Sequence, residues 1–172
     1  QEWNASTPFL YFTDHNAELG RLVTEGRRKE FAGFKRFSGS EVPDPQAEET
    51  FTRSKLDWAE AERPEHAGVR ALYRELLRLR ATDPCLKTNR RGHFDARPTG
   101  EHGLVLERRG PQGALHVILN VRGTLEHRLP ERSEVVLWTE APRFGGTSQE
   151  APLRSGGVRL EGPSAVVVRV TD

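Results

Sequence analysis

The sequence has no methionine and a single cysteine. A lone thiol closes no disulfide within the chain, so the expected setting is a reducing, cytoplasmic one. Cys85 follows Asp83-Pro84, where a helix should stop, and reads as a small half-buried hydrophobe rather than a nucleophile. Long apolar runs are missing too. No stretch approaches the roughly 20 apolar residues of a membrane helix, and no membrane partner is expected. Neither charge is in excess: 26 Lys and Arg against 25 Asp and Glu leave a formal net charge of +1. That balance excludes a nucleic-acid binder driven by net charge. The six histidines are scattered, with no i, i+4 pair and no Cys/His zinc spacing, so neither a metal site nor a cofactor is expected. There is no glycine-rich phosphate loop and no serine elbow. The basic run Lys87–His93 has no aromatic stacking platform and reads as a solvated linker.

What is present is globular in character. Charged residues make up 30% of the chain, alongside three Trp, two Tyr and eight Phe, which is too mixed and too aromatic for a disordered tail. The 172 residues suffice for one ordinary domain or two small ones. The chain opens on Gln1-Glu2-Trp3-Asn4, which reads as the middle of something, and residues upstream are expected.

Residues 1–14 are aromatic-rich, and Thr7-Pro8 bars a helix there. Thr13 or Asp14 is positioned to cap a helix from His15 to about Phe31, weakened by Gly20 and Gly26. Residues 32–48 read as a long loop. The clearest element is a helix over Pro64–Thr82. Proline suits its first turn, and Val69, Leu72, Tyr73, Leu76 and Leu79 recur as one apolar stripe. Nothing before residue 63 obviously covers that stripe. Beyond Pro84 the apolar period falls from roughly 3.6 to roughly 2. Strands are expected at Gly103–Arg108, Leu115–Val121, 125–129, 135–139, Val158–Leu160 and Ala165–Val170, with turns at Gly110–Gly113, Gly145-Gly146 and Gly156-Gly157. Such short, turn-linked strands predict an antiparallel sandwich or curled sheet. The domain reading is therefore 1–84 and 85–172.

Sugars offer hydroxyls to carboxylates and apolar ring faces to aromatics. Glu2, Asp14 and Asp57 stand near aromatics and suit such contacts, but no spacing marks an acid–nucleophile pair. Simpler roles stand beside these: a helix cap for Asp14, a local hydrogen bond beside a buried Trp58 for Asp57, and core packing for Trp3 and Phe12.

The run Glu2-Trp3-Asn4-Ala5-Ser6-Thr7-Pro8-Phe9-Leu10-Tyr11-Phe12-Thr13-Asp14-His15 resembles the segment after the eighth barrel strand of the maltooligosyltrehalose trehalohydrolases, a branch of the α-amylase family. Glu25–Phe31, Val42-Pro43-Asp44-Pro45-Gln46 and Ser54-Lys55-Leu56-Asp57-Trp58 extend the likeness over residues 1–83. The later part is alike in architecture, with Pro163–Val170 as the last strand. The resemblance implies an α/β plus all-β fold: the end of a (β/α)8 barrel, with the loop after strand eight and the last helix, followed by a C-terminal antiparallel β-sandwich. It implies a retaining hydrolase that cleaves the α-1,4 bond next to the terminal trehalose of maltooligosyltrehalose. It further implies that the catalytic Asp, Glu and second Asp lie upstream, so no catalytic residue is assigned here. Glu2, Trp3, Phe12, Asp14 and His15 fall in the post-strand-eight loop and are the candidate substrate-binding residues. The implied partners are the α-glucan substrate and the upstream barrel of the same protein.

Two other readings are distinguishable by assay. A glucan branching enzyme carries a stretch like Ser54–Trp58, and would make α-1,6 branches instead of free trehalose. A non-catalytic β module would bind glucan or a protein partner through residues 85–172, with Trp138 and Phe144 as its best aromatic candidates.

Overall fold

The structure is a computed structural model, and it describes residues 1–33, 42–87, 91–111 and 113–171. The middle of the loop expected over 32–48 and part of the linker expected over Lys87–His93 lie outside the described residues. The chain divides into two compact units, Trp3–Glu62 and Arg63–Asp172, with Gln1 counted to the first and Glu2 to the second.

The first unit carries helix α1 (Ala17–Phe31), the short helix α2 (Glu48–Arg53) and a 3-10 turn at Trp58–Glu62. The cap of α1 differs from the one expected at Thr13 or Asp14. Asn16 takes that role, its side-chain oxygen accepting the Leu19 N–H at 3.0 Å. Gly20, read in the sequence as a weak point, is buried for a reason. A Cβ there would stand 2.5 Å from the Gln46 side chain, so the glycine lets Gln46 lie flat against the helix.

The second unit begins with α3 (Pro64–Thr82), which has the span the sequence predicts. Pro84 forbids continuation, and the chain turns through a 3-10 turn at Pro84–Leu86. Among the described residues eight strands follow: β1 (Phe94–Thr99), β2 (Gly103–Gly110), β3 (Gly113–Asn120), β4 (Thr124–Arg128), β5 (Ser133–Trp138), β6 (Leu153–Arg154), β7 (Gly157–Glu161) and β8 (Ser164–Val170). They form two antiparallel sheets, ordered β1-β2-β3-β8-β5 and β4-β7-β6.

Strand parity assigns the two faces of the larger sheet. Val105, Ile118, Val166 and Val168 meet Leu125, Val158 and Leu160 of the smaller sheet, with Leu129 just past β4, in one core. On the opposite face Leu115, Leu137 and Val167 pack with Leu79 of α3, Cys85 and Phe144. The uninterrupted run Val166-Val167-Val168 is buried on both faces, because β8 lies inside the five-stranded sheet between β3 and β5. Burying one such aliphatic side chain stabilises by about 1.5–3 kcal/mol.

Part of the α3 stripe therefore has a partner within the chain, in the sheet that follows it rather than in residues 1–63. Leu79 is buried, and Ala71 and Leu72 pack on the sheet-facing cluster. Tyr73, Leu76 and Leu77 remain exposed on another side of the helix. Cys85 is also more deeply buried than expected, at 2% exposure, and burial pushes its thiol pKa up. Its environment suits packing, not nucleophilic chemistry.

Candidate functional site

The aromatic run at the start of the chain is held in place by polar side chains from the Pro43–Gln46 segment. Gln46 is the central clamp. Its amide oxygen accepts the Thr13 hydroxyl at 2.6 Å and the His15 N–H at 3.2 Å, and its amide nitrogen donates to the His15 carbonyl at 2.9 Å. The Thr13 N–H donates to the Pro45 carbonyl at 2.8 Å.

Asp44 in turn fixes Gln46. Its carboxylate accepts the Gln46 N–H at 3.0 Å and the Thr24 hydroxyl of α1 at 2.9 Å. These two bonds, the backbone one first, hold the Asp44 carboxyl below the usual carboxylate range. The Asp44 carbonyl accepts the Thr50 hydroxyl of α2 at 2.6 Å. The Asp44–Gln46 stretch thus ties together the opening segment, α1 and α2. At the other end of the run, buried Glu60 accepts the Ser6 N–H at 3.2 and 3.0 Å, and Ser54 accepts the Leu10 N–H at 3.3 Å.

The predicted contact residues fare differently on this frame. Glu2, Phe12, Asp14 and His15 are exposed. Phe12 rests edge-on against Phe51, ring centroids 5.1 Å apart. Trp3 is buried, and its ring packs at 5.2 Å on Trp58. Trp58, expected to be buried, is 71% exposed. Asp57 makes the local bond foreseen for it, accepting the Ala59 N–H at 3.0 Å. Beside the run, the Arg27 guanidinium lies 4.1 Å from the Tyr11 ring centroid and 5.0 Å from that of Phe31. Phe9, Val42 and Pro43 close a small cavity of about 160 Å³ there.

The structure brings Asp14 and His15 together with Phe12 on one pinned, exposed strip. It brings no two of the predicted carboxylates into an acid–nucleophile pair. Sequence reading missed Asp44, Gln46 and Glu60 as individual actors. The available signal was the doubled proline around Asp44, which stiffens a segment whose side chains then serve as fixed acceptors.

No protein-family profile matches the chain. Curated relatives do. The malto-oligosyltrehalose trehalohydrolase of Deinococcus radiodurans is 52% identical over 136 residues, 76% of this chain and 22% of the relative. That of Arthrobacter ramosus is 37% identical over 172 residues, 99% of this chain and 27% of the relative. The chain belongs with the malto-oligosyltrehalose trehalohydrolases. It spans about a quarter of the length of these relatives. A crystal structure from Salmonella typhimurium, provisionally described as an α-amylase, is 33% identical with a TM-score of 0.73, matched over 99% of this chain and 27% of its own. The α-amylase of H. orenii, 12% identical with a TM-score of 0.54 over 73% of this chain and 25% of its own, shares the fold alone. Within this trehalohydrolase-like segment, the pinned Phe9–His15 strip is the candidate functional surface.

Proposed function

We propose that the chain is the carboxy-terminal part of a cytoplasmic, retaining glycoside hydrolase that cleaves the α-1,4 bond next to the terminal trehalose of maltooligosyltrehalose and releases trehalose. Residues 1–84 then end a (β/α)8 barrel, supplying the loop after strand eight and the last helix. Residues 85–172 are its terminal β domain. The two-sided character of α3 supports this, since Tyr73, Leu76 and Leu77 offer an apolar face to a preceding barrel while Leu72 and Leu79 pack on the five-stranded sheet.

The catalytic carboxylates belong to the preceding part of the protein, and the role of this chain is to bind and orient substrate. The observation that carries this is the Gln46 clamp. Three hydrogen bonds from one amide fix Thr13 and His15, so the strip meets a ligand with little ordering left to do. Phe12 offers a ring face to a glucose unit, and Asp14 and His15 bond its hydroxyls. Glu2 adds a further exposed carboxylate. Trp3 acts indirectly, by supporting the exposed Trp58 ring.

The test is trehalose release from maltooligosyltrehalose by the complete protein. Phe12→Ala gives up an edge contact with Phe51 and His15→Ala replaces an exposed side chain; both should leave the fold intact, yet lower kcat/KM about tenfold, as loss of one or two good contacts does. Gln46→Ala should raise KM more than it lowers kcat, since it loosens a positioning element. Unchanged kinetics in all three variants would remove the strip from the substrate cleft. New α-1,6 branches in place of free trehalose would replace the hydrolase with a branching transferase.

A further inference from the structure

A second cavity lies in the β unit, at the end of the sandwich where β5, β7 and the start of β8 come together. Its volume is about 470 Å³, within the range of small-molecule sites, about 300–1,000 Å³. Trp138 forms its apolar wall. The ring is half-buried, packed from behind by the core of the two sheets, and one side lines the cavity. Phe144, the other aromatic candidate, is buried in the opposite core and takes no part. Around Trp138 stand Glu140, Gln149, Arg154, Arg159 and Glu161.

The chemistry of this lining selects its ligand. Both guanidiniums already face carboxylates in solvent-exposed pairs: Arg154 with Glu150 at 3.2 Å, and Arg159 with Glu161 at 3.1 Å and Glu126 at 2.9 Å. An anion would have to displace those carboxylates, and a cation would meet the arginines. A neutral ligand rich in hydroxyls meets neither obstacle. The planar carboxylate, amide and guanidinium groups can each hold adjacent hydroxyls, while the indole face covers the apolar side of a pyranose ring. We propose that this cavity is a saccharide-binding site, separate from the Phe9–His15 strip. That the saccharide is an α-glucan rests on the function proposed above. Such a site holds a glucan chain on the β unit independently of hydrolysis.

The experiment is affinity electrophoresis of the complete protein in gels containing soluble maltodextrin, run beside trehalose-release assays on a short maltooligosyltrehalose. Gln149→Ala combined with Glu161→Ala changes only exposed side chains and leaves the fold intact. Trp138→Phe keeps the apolar contact with the core but narrows the platform. The expected result is a retarded wild type, a loss of about tenfold in apparent affinity in both variants, and unchanged kcat/KM on the short substrate. Retardation that both variants retain in full overturns the site. A protein that releases no trehalose but is retarded through these residues sinks the proposed activity and upholds this site.

Discussion

Asn120 sits at the end of β3, where two turns converge. Its amide nitrogen donates to the Gly123 and Gly162 carbonyls at 2.8 Å each, and to Leu160 at 3.4 Å. The residue is 4% exposed. Asn120→Asp is nearly isosteric, but it replaces the donor with an oxygen that faces those same carbonyls. A buried polar group left unsatisfied costs about 1–3 kcal/mol, and a charged one more. The β unit should lose about 3 kcal/mol, read as a lower urea midpoint at an unchanged slope. A midpoint equal to wild type would show that the turns are held elsewhere. At the end of α3, Asp83 does a comparable job with charge. Burial works against its ionised form, but the Cys85 N–H and the Arg169 guanidinium of β8 outweigh it and hold the pKa below the ordinary 3.8. A carboxyl depressed in the fold stabilises fully above its unfolded value, and that stability is lost as the pH falls through the folded value. Asp83→Asn should therefore cost about 2 kcal/mol at pH 7, below the 3–5 of a fully buried pair because Arg169 is partly exposed. That cost should shrink as the pH falls through the folded value. A loss that does not change with pH would contradict the ion-pair account.

At the scale of elements, α3 approaches the 3-10 turn at Pro142–Phe144 closely enough to exclude a side chain at Gly68. A Cβ there would lie 2.6 Å from the Phe144 carbonyl carbon and 2.8 Å from the Gly145 nitrogen. Helix propensity alone favours alanine over a mid-helix glycine by about 0.5–1 kcal/mol. Gly68→Ala should reverse that sign and destabilise, because rigid backbone, not a flexible side chain, stands in the way. A rise in melting temperature would refute the close approach. This kind of contact explains what the sequence hides. The span of α3 was legible because its apolar period, first-turn proline and Asp83-Pro84 stop all agree. Most strands of the sandwich were legible from alternation and glycine turns. β1 was not: it carries Pro98, a proline tolerated on a sheet edge, and its residues are almost wholly exposed, so no apolar alternation marks it. The stripe of α3 was read correctly as apolar and as uncovered by residues 1–63; the sheet that takes its Leu72 and Leu79 lies later in the chain, and Tyr73 and Leu76 stay exposed. In the candidate site the aromatics and Asp14 stood out by residue type. The Gln46 clamp did not, because it joins positions more than thirty apart in sequence through hydrogen bonds that carry no periodic signal.

For the whole molecule, the exposed apolar side chains raise the question of what the protein is without a longer context. On α3, Leu77 is 58% exposed, Leu76 39% and Tyr73 37%. Large exposed apolar residues in number mark an interaction surface or an aggregation liability. The related trehalohydrolases are about four times the length of the chain, and the proposed occupant of that surface is the preceding barrel. The activity and the solubility of the 172 residues should then fail together. Expressed alone, the chain should release no trehalose from maltooligosyltrehalose and should elute as associated species in size exclusion. Polar replacements on this face of α3, such as Leu76→Gln with Leu77→Gln, should shift it toward monomer without restoring hydrolysis, since they supply no catalytic carboxylate. Supplying the preceding segment in trans should instead restore both. A monomeric, hydrolytically active 172-residue chain would mean that the catalytic groups lie within it, and the division of labour proposed here would have to be abandoned.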